Sequence, residues 1–566
     1  MSHHITIRHF IHSLGLVSLL SVAAVAQNRG KVTPAEGEIQ SGEIDIVRER
    51  KISLTTQNRN FEKIPASQAA RPNRQPLKYQ FTDQKLMVAP QKFNPVVTEL
   101  PKSQNDEALY NSEVKIGAGN YGRFYAEANV NSRNDLPYGI NIKARHNSTA
   151  TGPVDGRNSG TSQQLIQVGG KYATNSFKLD GSIGYDRNQF YFYGYHRTPE
   201  TPTRENIRQT LNNFNVGIGI ENTKKDAVID YSIKTRLRTL STFTQANEYD
   251  WGTNLKATFP INAQFFAHLA GDAYVTQRND SLTNSRNLFR IKPTFQYRTD
   301  RFSVLAGINV VHETDNLNEL TKPTHAYPVL ELDLMPVEDI HIFAGYQGDV
   351  HRNTLASLTD ENQFLAPNVR LLNTEKVHDI YLGTKGLIAG GFSYEAKVSF
   401  GRYRNLYVFN NSGRDTSRFE VLYDQPLDRG MSNVINVSGQ LNYQHEDWWR
   451  SFLKFDVYGY ELKQLETAWH RPNFTATWSN TLTFNKKLIV ATDFYVISGL
   501  QGRNPVSQQV RKLPAIFDLN LRTTYLITDR ISGFVGINNI LGKNYERYQY
   551  YKQQGVNFLA GVSYQF

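Results

Sequence analysis

From about residue 113 to its last residue, this chain alternates. In FKLDGSIGY (177–185) the apolar side chains Phe177, Leu179, Ile183 and Tyr185 share one parity, and Lys178, Asp180, Ser182 and Gly184 share the other. IKPTFQY (291–297) sets Ile291, Pro293, Phe295 and Tyr297 against Lys292, Thr294 and Gln296. FDLNLRTTYLI (517–527) sets Phe517, Leu519, Leu521, Tyr525 and Ile527 against Asp518, Asn520, Arg522 and Thr524. A period of two places each set on its own face of a β-strand. The charges in mid-strand decide what kind of sheet this is. A dry sandwich core rejects unpaired charge, whereas a sheet with lipid on one face and a wet lumen on the other accepts it. In lipid every backbone donor and acceptor needs a partner, so such a sheet must close on itself. The pattern predicts an all-β fold, a transmembrane antiparallel β-barrel over 113–566.

Tight turns and longer polar loops take turns along the chain. QYRTDRFSVLAGINVV (296–311) and YLITDRISGFVGINNI (525–540) share one plan of strand, Thr-Asp-Arg turn and strand. Similar short turns are predicted at 175–176, 223–225, 260–263, 336–339, 389–391, 446–447 and 485–487, all on one periplasmic rim. The longest outward loops fall at 352–376 and 410–430, with smaller ones at 151–162 and 196–206. Walking back from Phe566 gives about 22 strands, an even number that returns both barrel ends to the same side. Aromatic clusters at 190–195, at Trp448 and Trp449, and in YERYQYY (545–551) are expected to form interfacial girdles.

Other features remove whole classes. After residue 26 no uninterrupted apolar run approaches the ~18 residues of a membrane helix, which excludes a helical-bundle membrane protein. The chain has no cysteine, hence no disulfide, thiolate metal site or Cys nucleophile. Its net charge of +11 comes from 63 Lys and Arg scattered among 52 acids without a basic block, so no nucleic-acid partner is implied. No Gly-rich phosphate loop, H-E-x-x-H or G-x-S-x-G is present. His146, His196, His312, His351, His445 and His470 sit singly, and Asp360 and Glu361 read as solvation of an exposed loop. No catalytic, cofactor-binding or metal residue is assigned. At the other end, Arg8 precedes an apolar stretch from 14 to 25, and Ala24-Val25-Ala26 is an A-x-A cleavage site. Residues 1–26 are therefore expected to be a signal peptide, with Gln27 the mature start. Residues 27–112 hold 7 of the 21 prolines and no Trp, and read as an extended Pro-rich segment.

The stretch LPAIFDLNLRTTYLITDRISGFVGINNILGKNYERYQYY…GVNFLAGVSYQF (513–566) resembles the barrel end of TonB-dependent receptors. In that family an upward strand carries an N-(I/L)-x-(N/G)-K-x-Y motif, matched here by Asn539-Ile540-Leu541-Gly542-Lys543-Asn544-Tyr545, and a terminal aromatic closes the chain. KIGAGNYGRFYAEANV (115–130) is similar to the family's first hairpin. The resemblance spans about 113–566. It implies an outer-membrane barrel, with Phe558, Tyr564 and Phe566 read by the barrel assembly machinery as the insertion signal. Barrels of this width are plugged, yet only about 85 residues separate Gln27 from the first strand, so a complete plug is not expected. EIDIVRERKISL (43–54) is faintly similar to the family's energy-coupling segment.

Two functions follow from these readings. One is a receptor-like transport protein for an unidentified solute, energised through TonB. The other is a non-transporting accessory or scaffold barrel of an envelope assembly. Lys178, Asp180, Lys292, Lys454, Asp456, Asp518 and Arg522 are expected to face the lumen, as a self-neutralising ladder or a docking surface. Residues 27–112, inward-folded outer loops or a partner must fill so wide a lumen, and the Arg, Lys and Gln content of 27–112 favours that segment. Deleting Phe566 is expected to lower the amount of heat-modifiable barrel in outer-membrane fractions while export continues; unchanged levels would remove its role as a signal.

Overall fold

The computed structural model describes residues 112–566, apart from 133–136, 197–201, 225, 282–283, 315–322, 389–390, 426–429 and 505. The expected signal peptide with Ala24 and Ala26, and the segment 27–112 apart from Ser112, lie outside the described residues. From Glu113 to Gln565 the chain forms one antiparallel sheet of 22 strands, each paired with its sequence neighbours along the wall. The first strand, Glu113–Gly119, pairs with Arg123–Asn131 on one side and with the last, Asn557–Gln565, on the other. That second pairing sets Val114 opposite Tyr564 and Ile116 opposite Val562, and closes the sheet into a barrel. Backbone bonds between Ser112 and Phe566, at 3.2 and 3.0 Å, finish the seam.

Parity governs the wall. In the last strand Phe558, Val562 and Tyr564 are exposed on the outside, while Leu559 and Ser563 are buried within. Phe566, just beyond the strand, is exposed as well. The same split holds at Ile183, Ile291, Phe295 and Tyr525, all exposed, against buried Thr294, Asp518, Asn520 and Thr524. The outer surface is thus a continuous apolar band, suited to hydrocarbon.

The short turns line one rim and share a device. At Thr299 the side-chain hydroxyl accepts the amide hydrogens of Phe302 (3.1 Å) and Arg301 (3.4 Å). Thr528 does the same for Ile531 and Arg530, at 3.0 and 3.2 Å, and Thr174 for Phe177 and Ser176, at 3.0 and 3.2 Å. A hydroxyl that binds its own backbone two and three residues on is what lets Thr-x-x serve as a tight turn.

The opposite rim carries the long connections, several with structure of their own. The connection after His351 contains the helix Leu355–Glu361, capped by a reciprocal bond pair between Thr354 and Ser357. The next pairs Leu406–Asn411 with Phe419–Asp424, and later ones pair Gln501–Arg503 with Val510–Lys512 and Glu546–Tyr548 with Tyr551–Lys552.

The aromatic girdle expected on this rim is a different object. Phe190, Tyr191, Phe192, Tyr548 and Tyr551 are each no more than 5% exposed and belong to one cluster with Leu355, Leu358, Phe364, Leu372, Tyr407, Phe409 and Phe419. They form a hydrophobic core among the loops. Trp448, at the short-turn rim, is exposed.

Neighbouring residues on one strand test the wall. Leu441 is exposed on the outer face, and Gln440, on the inner face, stands between Glu395 and Lys454 in the ladder. Leu441→Arg should cost about 2–4 kcal/mol of barrel stability in a bilayer, and Gln440→Arg much less; equal costs in urea unfolding from liposomes would reverse the parity.

Candidate functional site

The loops are held across the barrel mouth by charged side chains of the inner wall. Glu248 accepts the amide hydrogens of Leu355 (2.7 Å) and Ala356 (2.9 Å), the first two residues of the helix. Arg238 pairs with Asp360 at 3.1 Å, and Arg286 donates to the carbonyl of Asn353 and the side chain of Asn373, both at 2.6 Å. In return Arg352 reaches from the loop to Asp250 (3.0 Å) and Thr276 (2.9 Å) on the wall, and its guanidinium lies 4.3 Å from the Tyr274 ring. Burying so many ions is costly unless each is paired, and here wall and loop supply each other's partners.

A second set of contacts ties loop to loop. The Glu361 carboxylate, 4% exposed, accepts from the Tyr407 hydroxyl at 2.5 Å, and the Tyr548 hydroxyl donates to the Glu361 carbonyl at 2.8 Å. Glu361 is therefore not solvating an exposed loop, as its place in the sequence suggests. Burial pushes its carboxyl above the usual range, against the opposing pull of Arg471, the Tyr407 hydroxyl and Arg547. Asp424, 1% exposed, accepts the successive amides of Lys463, Gln464 and Leu465 at 2.8, 2.6 and 2.9 Å, which anchors the following loop. Phe364 and Tyr551 stack with ring centroids 3.5 Å apart.

His470 joins four of these segments. Its Nδ1 donates to the Phe409 carbonyl at 2.8 Å, and its Nε2 accepts from the Gln549 amide at 3.2 Å. Its own amide donates to Gln501 at 2.8 Å, and Arg547 donates to its carbonyl at 2.7 Å. Both ring nitrogens are thus committed to one neutral tautomer. Burial, helped by the charge of Arg547 and opposed by the Phe409 carbonyl, pushes its pKa down to about 3.

A cavity of about 750 Å³ lies between the loops and the wall. Asp180 and Ser182 line it, with Lys234, Arg236 and Arg238 from one strand, Asp250 and Tyr274 from the next two, and Arg352, Ser357 and Asp360 from the helical loop. Of the residues expected to face the lumen, only Asp180 borders this cavity. Lys178 pairs with Glu221 at 2.7 Å, Lys454 approaches Asp456 at 3.7 Å, and Arg522 pairs with Asp493. Lys292 makes no ion pair among the described residues. Asp518, 1% exposed, is covered by the Tyr545 hydroxyl, which donates to it. That contact explains the Asn539–Tyr545 motif physically: the Asn539 side-chain Nδ2 donates to the carbonyls of Lys543 (2.8 Å) and Gln554 (2.9 Å), and Tyr545 fastens the loop to the wall. Among the described residues no three His, Asp or Glu side chains converge as metal ligands would.

The barrel has counterparts of known structure. An iron transporter, FrpB from Neisseria meningitidis, superimposes with a TM-score of 0.62 over 80% of this chain and 81% of its own, at 9% identity. The copper transporter OprC gives 0.59 over 80% of each chain at 11% identity. The siderophore receptor PirA from Acinetobacter baumannii gives 0.61, again over 80% of each, at 10%. The barrel fold is theirs. No family model matches the chain, and no curated protein matches it in sequence.

Acid should loosen this mouth. With His470 held well below the ordinary histidine value near 6.5, opened loops bind a proton that closed loops refuse. The closed state therefore loses about 1.4 kcal/mol per pH unit below ~6, down towards pH 3. Glu361, whose carboxyl is pushed up, works the other way. Limited proteolysis of the 405–431 and 539–556 loops should accelerate from pH 7 to 4.5 in wild type and show a flatter profile in His470→Gln, whose amide can keep both contacts. Matching slopes would acquit His470.

Proposed function

We propose that this chain is an outer-membrane barrel of the TonB-dependent-receptor type that takes up a small solute. The observation that carries the proposal is the closed 22-stranded barrel with a cavity directly under its long-loop mouth. In this reading the short-turn rim and both chain ends face the periplasm, and the long loops face the exterior. Support comes from the outer apolar band and the match of Asn539–Tyr545 to the receptor motif. The likeness to solved iron, copper and siderophore proteins adds to it, although the solute of this chain is its own question. Residues 27–112, whose Pro-rich composition reads as an extended segment, would supply the periplasmic arm that engages TonB. The exposed Phe558, Tyr564 and Phe566 would be read during insertion by the assembly machinery.

A second reading rests on the loop core. A mouth packed with buried aromatics suits an accessory or scaffold barrel, in which passage is not the task. Affinity purification of the tagged full-length protein from native outer membranes separates the two. The uptake reading expects the barrel alone or with TonB. Recovery in fixed stoichiometry with other outer-membrane subunits, and growth without the barrel unaffected by any nutrient limitation, would move the scaffold reading ahead.

A further inference from the structure

The cavity is not electrically balanced. Six cationic side chains line it (Lys234, Arg236, Arg238, Arg290, Arg352 and Arg471) against the carboxylates of Asp180, Asp250, Asp349 and Asp360. Three of those carboxylates are taken: Asp360 by Arg238 at 3.1 Å, Asp349 by Arg290 at 2.7 Å, and Asp250 by Arg352. Arg471 is occupied on the loop side, donating to the Tyr407 carbonyl at 2.8 Å. Lys234 and Arg236 remain. Both are exposed within the cavity, and neither makes a hydrogen bond or ion pair among the described residues.

The register shows how the wall leaves room for them. Arg236 stands opposite Gly217 on one side and Gly252 on the other, and Lys234 stands opposite Gly219 and Asn254. The glycines bring the next row close. A Cβ on Gly252 would lie 2.8 Å from the Tyr274 ring, and one on Gly217 would lie 3.1 Å from the Ser182 hydroxyl. Arg236 is therefore flanked by side-chain-free backbone, with a hydroxyl and an aromatic ring leaning over it from either side. Asp180 stands in the same row as Lys234, across Gly219, where a Cβ would meet its carboxylate at 2.8 Å, but the two do not come within ion-pair distance; Asp180 also lies on the same side as the Lys178–Glu221 pair. An unpaired guanidinium in a concave wall focuses the field on whatever enters. Its planar fork fits an oxyanion through two parallel bonds, and an adjacent ammonium adds charge without demanding geometry.

We propose that Arg236 and Lys234 form a binding site for a small oxyanion-bearing solute, one with carboxylate or phosphate groups. The oxyanion sits on the Arg236 fork, with the Ser182 hydroxyl within the same cavity as a neutral donor. This deepens the uptake reading and rests on it only for the name of the cargo; the site itself is a property of the wall.

The test uses the full-length protein in neutral detergent, titrated calorimetrically with citrate and with inorganic pyrophosphate, and with trehalose as the neutral control. Saturable binding of at least one anion is expected, weakening steeply as salt is raised. Arg236→Gln should weaken it about tenfold or more and Lys234→Gln by less, in barrels that retain heat-modifiability. Lys292→Gln, on the inner wall but outside this cavity, should change it less than about twofold. No binding of either anion to wild type, or equal losses in all three variants, would overturn the site and leave the uptake reading untouched. Binding lost in Arg236→Gln while cells carrying that variant grow as wild type on every anionic nutrient would keep the site and sink the uptake reading.

Discussion

Everything in this molecule descends from the pairing of backbone amides and carbonyls in a solvent that offers none. A sheet edge left open in hydrocarbon would leave a row of unmet donors and acceptors, each costing several kcal/mol. The seam between Glu113–Gly119 and Asn557–Gln565 removes that edge. Once the sheet is a cylinder, side-chain parity has only two meanings, out and in. The exposed Ile183, Phe295 and Val562 and the inward Lys178, Lys292 and Asp518 follow from that geometry.

Closure creates its own difficulty, since a cylinder of this size is a hole. Among the described residues the solution is polar where it meets the wall and apolar where loops meet each other. Arg238, Glu248, Arg278 and Arg286 hold the helical loop by its backbone and its acids. The aromatic cluster from Phe190 to Tyr551 then fills the mouth. The polar attachments fix where the loops sit, because a displaced loop would strand buried ions. The apolar core supplies the driving force, on the order of 1.5–3 kcal/mol for each large side chain removed from water.

The wall was legible in the sequence and the mouth was not, for a physical reason. Parity is local: Phe177, Leu179, Ile183 and Tyr185 declare a face within nine residues. The fate of Phe190 or Tyr548 is set by partners hundreds of residues away, and an aromatic at a strand end looks alike whether it meets a lipid interface or Phe364. Glu361 reads as an ordinary loop acid until Tyr407, Arg471 and Arg547, from three other segments, converge on it. Lys234, Arg236 and Arg238 were readable as an alternating basic face in IKTRLRT. What their sequence could not tell was that only Arg238 would find a carboxylate.

Consider when, in the life of the chain, Tyr551 arrives. It stacks on Phe364, contacts Tyr193, and donates to the carbonyl of Ser417, so it touches three connections made long before it. The strand that completes the wall begins six residues later, at Asn557. The mouth and the wall are therefore finished by the same C-terminal stretch, through contacts with residues far back in the chain, which are slow to form. A chain that ends before Tyr551 lacks both the closing strand and the ring that joins these three connections.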